Sequence, residues 1–301
     1  MRERNLREIR TRAGVLGDRT DGGGGVMSEV ITHSIPADMI RRPWRVVVVG
    51  AGGTGSAFLP SLARLHHAMI ELGHPGGIEC TVYDDDTVSE TNVGRQGFYP
   101  NDVGHYKALL LVNRLNNLMG TNWVAEPRRV DSSVRIVADI VVGCVDSRRA
   151  RHAIVQAAKR GSCRYYLDCG NETDRGQVIL GEFGKTRRDR LPHVGDLFPQ
   201  LLNARNDKDD ETPSCSMADA LRKQSLVINQ AISVQAFNLL WTLYRTGTLS
   251  YSAVFVNLET GRTNPVPIDP VAWARFGYDA PKPQKARSRK RFDRMDPHIP
   301  R

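Results

Sequence analysis

Residues 46–56 have the sequence VVVVGAGGTGS, four valines followed by a glycine-rich turn. A short apolar run rich in valine is typical of a strand that is buried on both faces. Glycines between a strand and a helix leave backbone N–H groups free, and with the helix N-terminus these groups favour a bound anion. The stretch therefore predicts a phosphate-binding site at the end of a buried strand.

The glycine spacing alone does not identify the nucleotide. Gly50, Gly52 and Gly55 match the Gly-x-Gly-x-x-Gly pattern of dehydrogenases. Dehydrogenases bind the ribose with an acidic residue about 20 residues further on, whereas Asp84 follows about thirty residues later. An NAD-dependent oxidoreductase is therefore one hypothesis, and it depends on the glycine pattern alone.

Predicted strands and helices alternate along the chain from Arg45 onward. Strands are predicted at Arg45–Val49, Ile78–Tyr83, Ile140–Cys144, Tyr165–Cys169 and Gln177–Phe183, followed by a hairpin of Tyr251–Leu258 and Thr263–Ile268. Helices are predicted at 56–72, at 147–159 and at 217–244, and a further helix is predicted to follow a cap at Asn101 or Asp102. The fold class is α/β, a Rossmann-like doubly wound, mostly parallel sheet with a C-terminal antiparallel extension.

The net charge of +9 lies mostly in the two tails. Residues 281–301 hold eight Lys or Arg and two acids, and residues 1–26 hold six and four. We expect a flexible N-terminal segment at 1–43, with Met27 as an alternative start, a folded domain at 44–270 and a basic, disordered tail at 271–301. The tail is typical of a solvated extension, and nucleic acid binding is the alternative.

Composition points to a cytoplasmic protein, because no apolar run is long enough to span a membrane and no secretory signal is present. The five cysteines are odd in number and form no C-x-x-C pair, so neither a disulfide framework nor a zinc site is expected. We therefore predict no membrane contact and no zinc.

A second informative block, DDDTVSETNVGRQ, occupies residues 84–96 and is followed by Lys107. Arg95 and Lys107 near a phosphate loop fit a triphosphate from which pyrophosphate leaves, because cations stabilise charge that develops on a leaving group. Hydride transfer needs no such cations. Taken singly, each is also a typical surface cation.

Asp146 comes just after the predicted strand Ile140–Cys144. Open α/β sheets bind ligands at the carboxyl ends of their strands, and a carboxylate there suits Mg²⁺ shared with phosphate oxygens. The alternative is that Asp146 caps the helix that follows.

A polar segment at about 184–216 carries little periodicity and ends at Pro213-Ser214-Cys215-Ser216. Cys215 precedes a predicted helix, whose N-terminus lowers the pKa of a thiol and makes it a better nucleophile. The alternative is a small packed residue at a helix start. Cys215 is the one cysteine that we predict to be catalytic.

Taken together, these residues resemble the ThiF/MoeB adenylyltransferase superfamily, which includes the ubiquitin-activating enzymes. The similarity covers about residues 44–260 and includes the glycine loop, the block at 84–96, Lys107 and Asp146. It implies ATP- and Mg²⁺-dependent adenylation of the C-terminal carboxylate of a small ubiquitin-like or sulfur-carrier protein. It also implies a homodimer, and Pro213-Ser214-Cys215-Ser216 looks like the crossover-loop motif in which some members form a thioester.

The resemblance also implies roles for individual residues. Arg95, Lys107, Asp146 and Cys215 would be catalytic, with Asp146 holding Mg²⁺. The nucleotide would be bound by Gly50, Gly52, Gly53, Gly55, Ser56, Asp84, Asp86, Asn92 and Gln96. Gly52, Gly53 and Gly55 would contact phosphates and Asp84 the ribose.

Two departures from the superfamily pattern stand out. The paired C-x-x-C motifs that bind zinc in many members are absent. In the superfamily an N-terminal segment supplies an arginine to the partner subunit, but no segment before Arg45 matches it well. Arg41 and Arg42 are only candidates for that arginine. A catalytically silent nucleotide-binding scaffold in plasmid maintenance is therefore a further hypothesis. The region Leu191–Pro199, together with Cys215 and the helix that ends in Leu239-Leu240-Trp241, is similar to the ThiF-type proteins of the bacterial PRTRC gene system.

Overall fold

A mostly parallel sheet runs through the computed structural model, which describes residues 30–185, 189–203, 205 and 224–281. In chain order the strands are β1 (His33–Ser34), β2 (Trp44–Val49), β3 (Ile78–Tyr83), β4 (Val124–Glu126), β5 (Val137–Gly143), β6 (Ser162–Asn171), β7 (Arg175–Glu182), β8 (Thr248–Leu249), β9 (Tyr251–Asn257) and β10 (Arg262–Pro267). β1 pairs with β8, and the others form one sheet in the order β10-β9-β7-β6-β5-β2-β3-β4.

The sheet has a parallel half and an antiparallel half. Strands β4, β3, β2, β5 and β6 are parallel neighbours, whereas β7, β9 and β10 continue the sheet in antiparallel pairs. The predicted fold class is confirmed, although the antiparallel part begins already at β7. β4 was not predicted, because a three-residue edge strand has too few positions to show a pattern.

The helices lie between these strands along the chain, except α6, which follows the last strand. They are α1 (Gly53–Glu71), α2 (Lys107–Met119), α3 (Arg148–Arg160), α4 (Val194–Leu197), α5 (Ile228–Thr246) and α6 (Pro270–Ala274), with 3₁₀ turns at Ala37–Ile40, Glu90–Asn92, Pro100–Asp102 and Pro199–Leu202. α5 packs against α1, β6 and β7. Among the described residues no helix is long and apolar enough to cross a membrane.

Strand β2 lies between β3 on one side and β5 on the other, so the direction of winding reverses at this strand. In open α/β sheets a crevice forms at such a reversal, outside the carboxyl ends of the strands. The glycine turn directly follows β2. The fold therefore places the predicted phosphate loop at the usual ligand-binding position.

Residues just before β2 belong to the fold, in contrast to the flexible segment expected at 1–43. Met39 is fully buried, and its carbonyl accepts a hydrogen bond of 2.8 Å from Trp44 Nε1. The carboxyl-terminal boundary differs as well, because Trp273 in α6 is buried. Residues 1–29 and 282–301, which include most of both tails, lie outside the described residues.

The last long helix is shorter than the sequence predicted. The pattern suggested 217–244, but α5 begins at Ile228 and Gln224–Val227 are not helical. The Ser225 backbone N–H instead donates to the Thr173 carbonyl at 2.7 Å, which ties this stretch to the sheet. Residues 206–223, with Pro213-Ser214-Cys215-Ser216, lie outside the described residues.

Candidate active site

The glycine turn has a backbone shape that only glycine satisfies. Gly50 has φ of 98°, and a Cβ on it would lie 2.5 Å from the Cys144 carbonyl oxygen. A Cβ on Gly55 would overlap the Gly50 carbonyl oxygen. Gly52 precedes α1 and supplies no side-chain cap, so the helix N-terminus is not closed by a side chain of its own and can face an anion.

Asp84 shapes this turn from the end of β3. Its Oδ2 accepts a hydrogen bond of 2.6 Å from the Ala51 N–H, and its Oδ1 accepts one of 2.9 Å from the Asp86 N–H. Burial raises the pKa of Asp84 above its ordinary value, while the bond from Ala51 and the charge of Lys107 act in the opposite direction. Asp84 thus has a visible structural role, and its contact with a ribose stays a prediction.

Lys107 lies on the same side of the turn as Asp84. Its buried Nζ forms an ion pair of 2.9 Å with Asp86 Oδ2, and Asp86 itself is more than half exposed. The structure therefore joins Asp84, Asp86 and Lys107 into one group. For Lys107 to bind a phosphate, its ammonium would have to exchange Asp86 for the phosphate or bridge the two.

Arg95 and Asp146 form a second group. Arg95 is half-buried, and burial lowers its pKa, an effect that the nearby charge of Asp146 opposes. Arg95 Nη1 donates to Gln224 Oε1 at 3.0 Å, while its buried Nε has no partner among the described residues. A guanidinium with unused donors beside an anion-binding turn is suited to bind phosphate oxygens.

Asp146 is not a helix cap, which corrects the alternative drawn from its position before α3. The cap is Ser147, whose Oγ accepts a hydrogen bond of 3.1 Å from the Ala150 N–H. The carboxylate of Asp146 is exposed and makes no hydrogen bond within the described residues. It is therefore available to an external cation.

A single available carboxylate fits Mg²⁺ better than a metal that needs a full set of protein ligands. Within the described residues no group of three or more His, Cys, Asp or Glu could hold a metal ion. Mg²⁺ is usually held by one or two carboxylates together with substrate phosphates and water. Asp146 beside a phosphate loop meets that requirement.

Asn92 and Ser56, which were predicted to bind the nucleotide, hold the loops around the glycine turn by hydrogen bonds to the backbone. Asn92 Oδ1 accepts from the Ser89 N–H at 3.0 Å, and Ser56 Oγ accepts from the Gly97 N–H at 3.0 Å. Gln96 Oε1 is buried without a partner among the described residues, and it faces Gly52, whose Cβ would lie 3.9 Å away. Gln96 is thus the member of this set with an unused acceptor beside the turn.

A network of three amide side chains and one hydroxyl was not predicted from the sequence. It consists of Thr54 in α1, Asn171 at the end of β6, Gln224, and Asn229 in α5. Asn171 Nδ2 donates to Asn229 Oδ1 at 2.8 Å and to Thr54 Oγ1 at 3.1 Å, and Thr54 Oγ1 donates to Asn229 Oδ1 at 2.9 Å. The only sequence signal was the position of Asn171 at the carboxyl end of a strand.

A buried ion pair supports the loop that carries Asp146. Arg151 Nε and Tyr166 Oη both donate to Asp168 Oδ1 at 3.0 Å, and both charged side chains are almost fully buried. Burial alone would lower the pKa of Arg151, but the charge and hydrogen bond of Asp168, together with smaller contributions from Tyr166 and Asp146, outweigh burial and the pKa is raised. Arg151 Nη1 also approaches the Asp146 carbonyl oxygen at 3.4 Å.

These features define an α/β protein with a Rossmann-like sheet, in which cations and an exposed carboxylate lie around a glycine turn suited to bind an anion. The model of the ThiF family matches residues 37–268, and the chain belongs to this family. The curated relative "Adenylyltransferase and sulfurtransferase UBA4" of Yarrowia lipolytica is 33% identical over 122 residues, which are 39% of this chain and 28% of that protein.

Solved structures with the same fold include E. coli MccB crystallised with ATP, and PaaA. MccB superposes with a TM-score of 0.51 at 15% identity, over 77% of this chain and 65% of MccB. PaaA gives a TM-score of 0.50 at 14% identity, over 77% of this chain and 75% of PaaA. The chain thus spans less than a third of UBA4 and about two thirds of MccB. At these identities the two structures establish the fold.

Proposed function

We propose that this protein adenylates the C-terminal carboxylate of a small ubiquitin-like or sulfur-carrier protein, with ATP and Mg²⁺. The observation that carries the proposal is an anion-binding glycine turn with Arg95, whose buried Nε has no partner among the described residues, and an exposed Asp146 near enough to act on the charge of Arg95. The adenylyltransferase name of UBA4 and the crystallisation of MccB with ATP support the same chemistry.

In the proposed reaction a carboxylate oxygen of the partner protein attacks the α-phosphorus of ATP. A bond forms between that oxygen and phosphorus, the bond to the β-phosphate bridging oxygen breaks, and pyrophosphate leaves with the electron pair. The products are an acyl-adenylate and pyrophosphate. Bound Mg²⁺ would neutralise part of the phosphate charge, and Asp146 is the residue that would hold it.

The residues of this chain would bind and orient the reactants. The glycine turn and the start of α1 would bind phosphate oxygens, with Asp84 fixing the turn through the Ala51 N–H. Arg95 would stabilise the charge that develops on the leaving pyrophosphate, because preorganised cations act most strongly where charge appears in the transition state. Lys107 would assist from its position beside Asp84 and Asp86.

ATP–pyrophosphate exchange tests the proposed function. The purified protein with its ubiquitin-like partner and Mg²⁺ should incorporate labelled pyrophosphate into ATP. Arg95→Ala should lower the exchange rate more than it weakens ATP affinity, because the guanidinium acts on the leaving group more than on bound ATP. Arg175→Ala is the matched control, since Arg175 is exposed and pairs with Glu259 on the surface.

Two results would count against the assignment. Absence of exchange with every candidate partner, combined with retained ATP binding, would favour the silent nucleotide-binding scaffold. Calorimetric binding of NAD in preference to ATP would favour the oxidoreductase, for which the glycine pattern is the one argument. A separate result concerns Arg95 alone. If Arg95→Ala weakened ATP affinity as much as it lowered the exchange rate, Arg95 would have no specific role toward the leaving pyrophosphate.

Cys215 would receive the acyl group in a second step, as its thiolate displaces AMP and forms a thioester. Cys215→Ala should leave exchange nearly unchanged, because adenylation precedes transfer, and should abolish a thiol-sensitive adduct with the partner protein. The adduct is measured on a non-reducing gel after incubation with ATP. An adduct that survives Cys215→Ala, or its absence from the wild type while exchange proceeds, would leave an enzyme that stops at the acyl-adenylate.

We further propose a homodimer in the cytoplasm and a place in the PRTRC gene system. Arg41 is the better candidate for an arginine supplied to a partner subunit, because it is exposed. Arg42 instead donates to Asp139 at 2.6 Å and to Asp38 at 2.6 Å within its own chain. A neighbouring gene for a small protein that ends in Gly-Gly would support the PRTRC assignment and name the partner.

A further inference from the structure

We propose that Gln224 is a positioning residue for Arg95, and that it holds the guanidinium toward the phosphate loop without cancelling its charge. The proposal deepens the proposed function, since it concerns the group that would act on the leaving pyrophosphate. It depends on one contact, Arg95 Nη1 to Gln224 Oε1 at 3.0 Å, and on the network that fixes the Gln224 amide.

Gln224 is the one side chain among the described residues that accepts a hydrogen bond from Arg95. Arginine carries only donors, so its partner must present an oxygen. A carboxylate would bind the guanidinium more strongly but would neutralise it. A glutamine oxygen fixes one Nη atom and leaves the positive charge intact for a phosphate.

The amide of Gln224 is itself held in a single orientation. Its Nε2 donates to Asn171 Oδ1 at 2.9 Å, and its Oε1 also accepts from Asn229 Nδ2 at 3.2 Å. If the Gln224 amide were flipped, it would lose both of these bonds, and its NH₂ group would face the N–H donors of Arg95. The oxygen is therefore directed at Arg95 by the network and not by Arg95 alone.

The network is attached to three elements of the fold. Asn171 closes β6, and Asn229 lies in the first turn of α5, where both bond to Thr54 in the first turn of α1. Asn229 also fills the space beside Gly53, whose Cβ would lie 2.5 Å from the Asn229 amide nitrogen. Arg95 is thus positioned relative to the same helix start that would bind the phosphates.

Inorganic pyrophosphate is the probe for the test, because it is the group that Arg95 would meet as product. Calorimetry would compare its affinity for wild type, Gln224→Ala, Arg95→Ala and the double variant. Gln230→Ala is the matched control, an exposed glutamine on the same stretch of chain. Gln224→Ala should weaken binding about tenfold, as expected for a lost hydrogen bond to a charged group.

The double variant separates positioning from general damage. If Gln224 acts through Arg95, adding Gln224→Ala to Arg95→Ala should cause no further loss of pyrophosphate affinity. Affinity in Gln224→Ala equal to that of Gln230→Ala would overturn the proposal. A double variant whose losses simply add would overturn it as well, because Gln224 would then contribute independently of Arg95.

A second variant covers the case in which Gln224→Ala does not fold. Gln224→Glu keeps the oxygen near Arg95 but adds a negative charge, so pyrophosphate affinity should fall at least as far as in Gln224→Ala. Unchanged affinity would overturn the proposal. ATP–pyrophosphate exchange by the wild type tests the proposed function, whereas pyrophosphate affinity of the variants tests the role of Gln224. Either conclusion can therefore fail while the other stands.

Discussion

Asp146→Ala should reduce ATP–pyrophosphate exchange about 100-fold or more while changing protein stability little. Loss of a preorganised charge at a reacting phosphate typically costs about 3–4 kcal/mol of transition-state stabilisation. The carboxylate is exposed and makes no hydrogen bond within the described part of the chain, so its removal breaks no contact there. The measurement is the exchange rate as a function of Mg²⁺ concentration, together with thermal unfolding.

The neighbouring Ser147 provides the control for this substitution. Ser147→Ala removes the hydrogen bond to the Ala150 N–H and should cost about 1 kcal/mol of stability, as loss of a helix cap does. The folded Ser147→Ala protein should keep its exchange activity. Equal exchange by wild type and Asp146→Ala would exclude Asp146 as the metal ligand.

Asp168→Ala should lower the free energy of unfolding by about 3–5 kcal/mol, the largest stability effect that we expect for a single substitution. Arg151 would remain almost fully buried with its charge uncompensated, and Tyr166 would lose the acceptor for its hydroxyl. Removal of one member of a buried pair costs far more than removal of both. Urea denaturation measures the change.

Asp174→Ala is the surface counterpart of this variant. Asp174 lies 3.7 Å from Arg175 with both side chains partly exposed, and such pairs contribute about 0–1 kcal/mol. A loss in Asp168→Ala no larger than that in Asp174→Ala would show that the buried pair does not stabilise the fold. Because Arg151 Nη1 also approaches the Asp146 carbonyl, Asp168→Ala should disturb the loop that carries Asp146 as well.

Local patterns were sufficient to predict β2, β3, β5 and β6 of the parallel half of the sheet, but not its edge strand β4. The valines of β2 and the apolar run of β5 fill buried positions between neighbouring strands, so their burial leaves a direct signature in the sequence. Asp84 was also placed correctly at the carboxyl end of β3, next to β2, but its hydrogen bond with the Ala51 N–H of the glycine turn was not predicted. In these cases the interacting residues lie on strands that are adjacent in the sheet.

Contacts between distant segments left no such signature. Thr54 and Asn229 are 175 positions apart, and neither belongs to a recognisable spacing. The start of α5 was misplaced because the residues before Ile228 have acceptable helix propensity, yet Ser225 bonds to Thr173 of the β6–β7 connection. Tertiary contacts of this kind override local preference, and they also build the support of Arg95.

The packing of α1 against α5 has a consequence for synthesis of the chain. Tyr244 in α5 donates to the Met69 carbonyl at 3.2 Å and contacts the Trp44 ring edge-on, so the late helix covers elements made much earlier. At about 5–20 residues per second, on the order of ten seconds elapse before the ribosome completes α5. Until then the part of the α1 surface that α5 covers is exposed, and exposed apolar surfaces aggregate or recruit chaperones. Emergence of α5 from the ribosome therefore marks the moment at which this surface of the nascent parallel half of the sheet and its helices becomes protected.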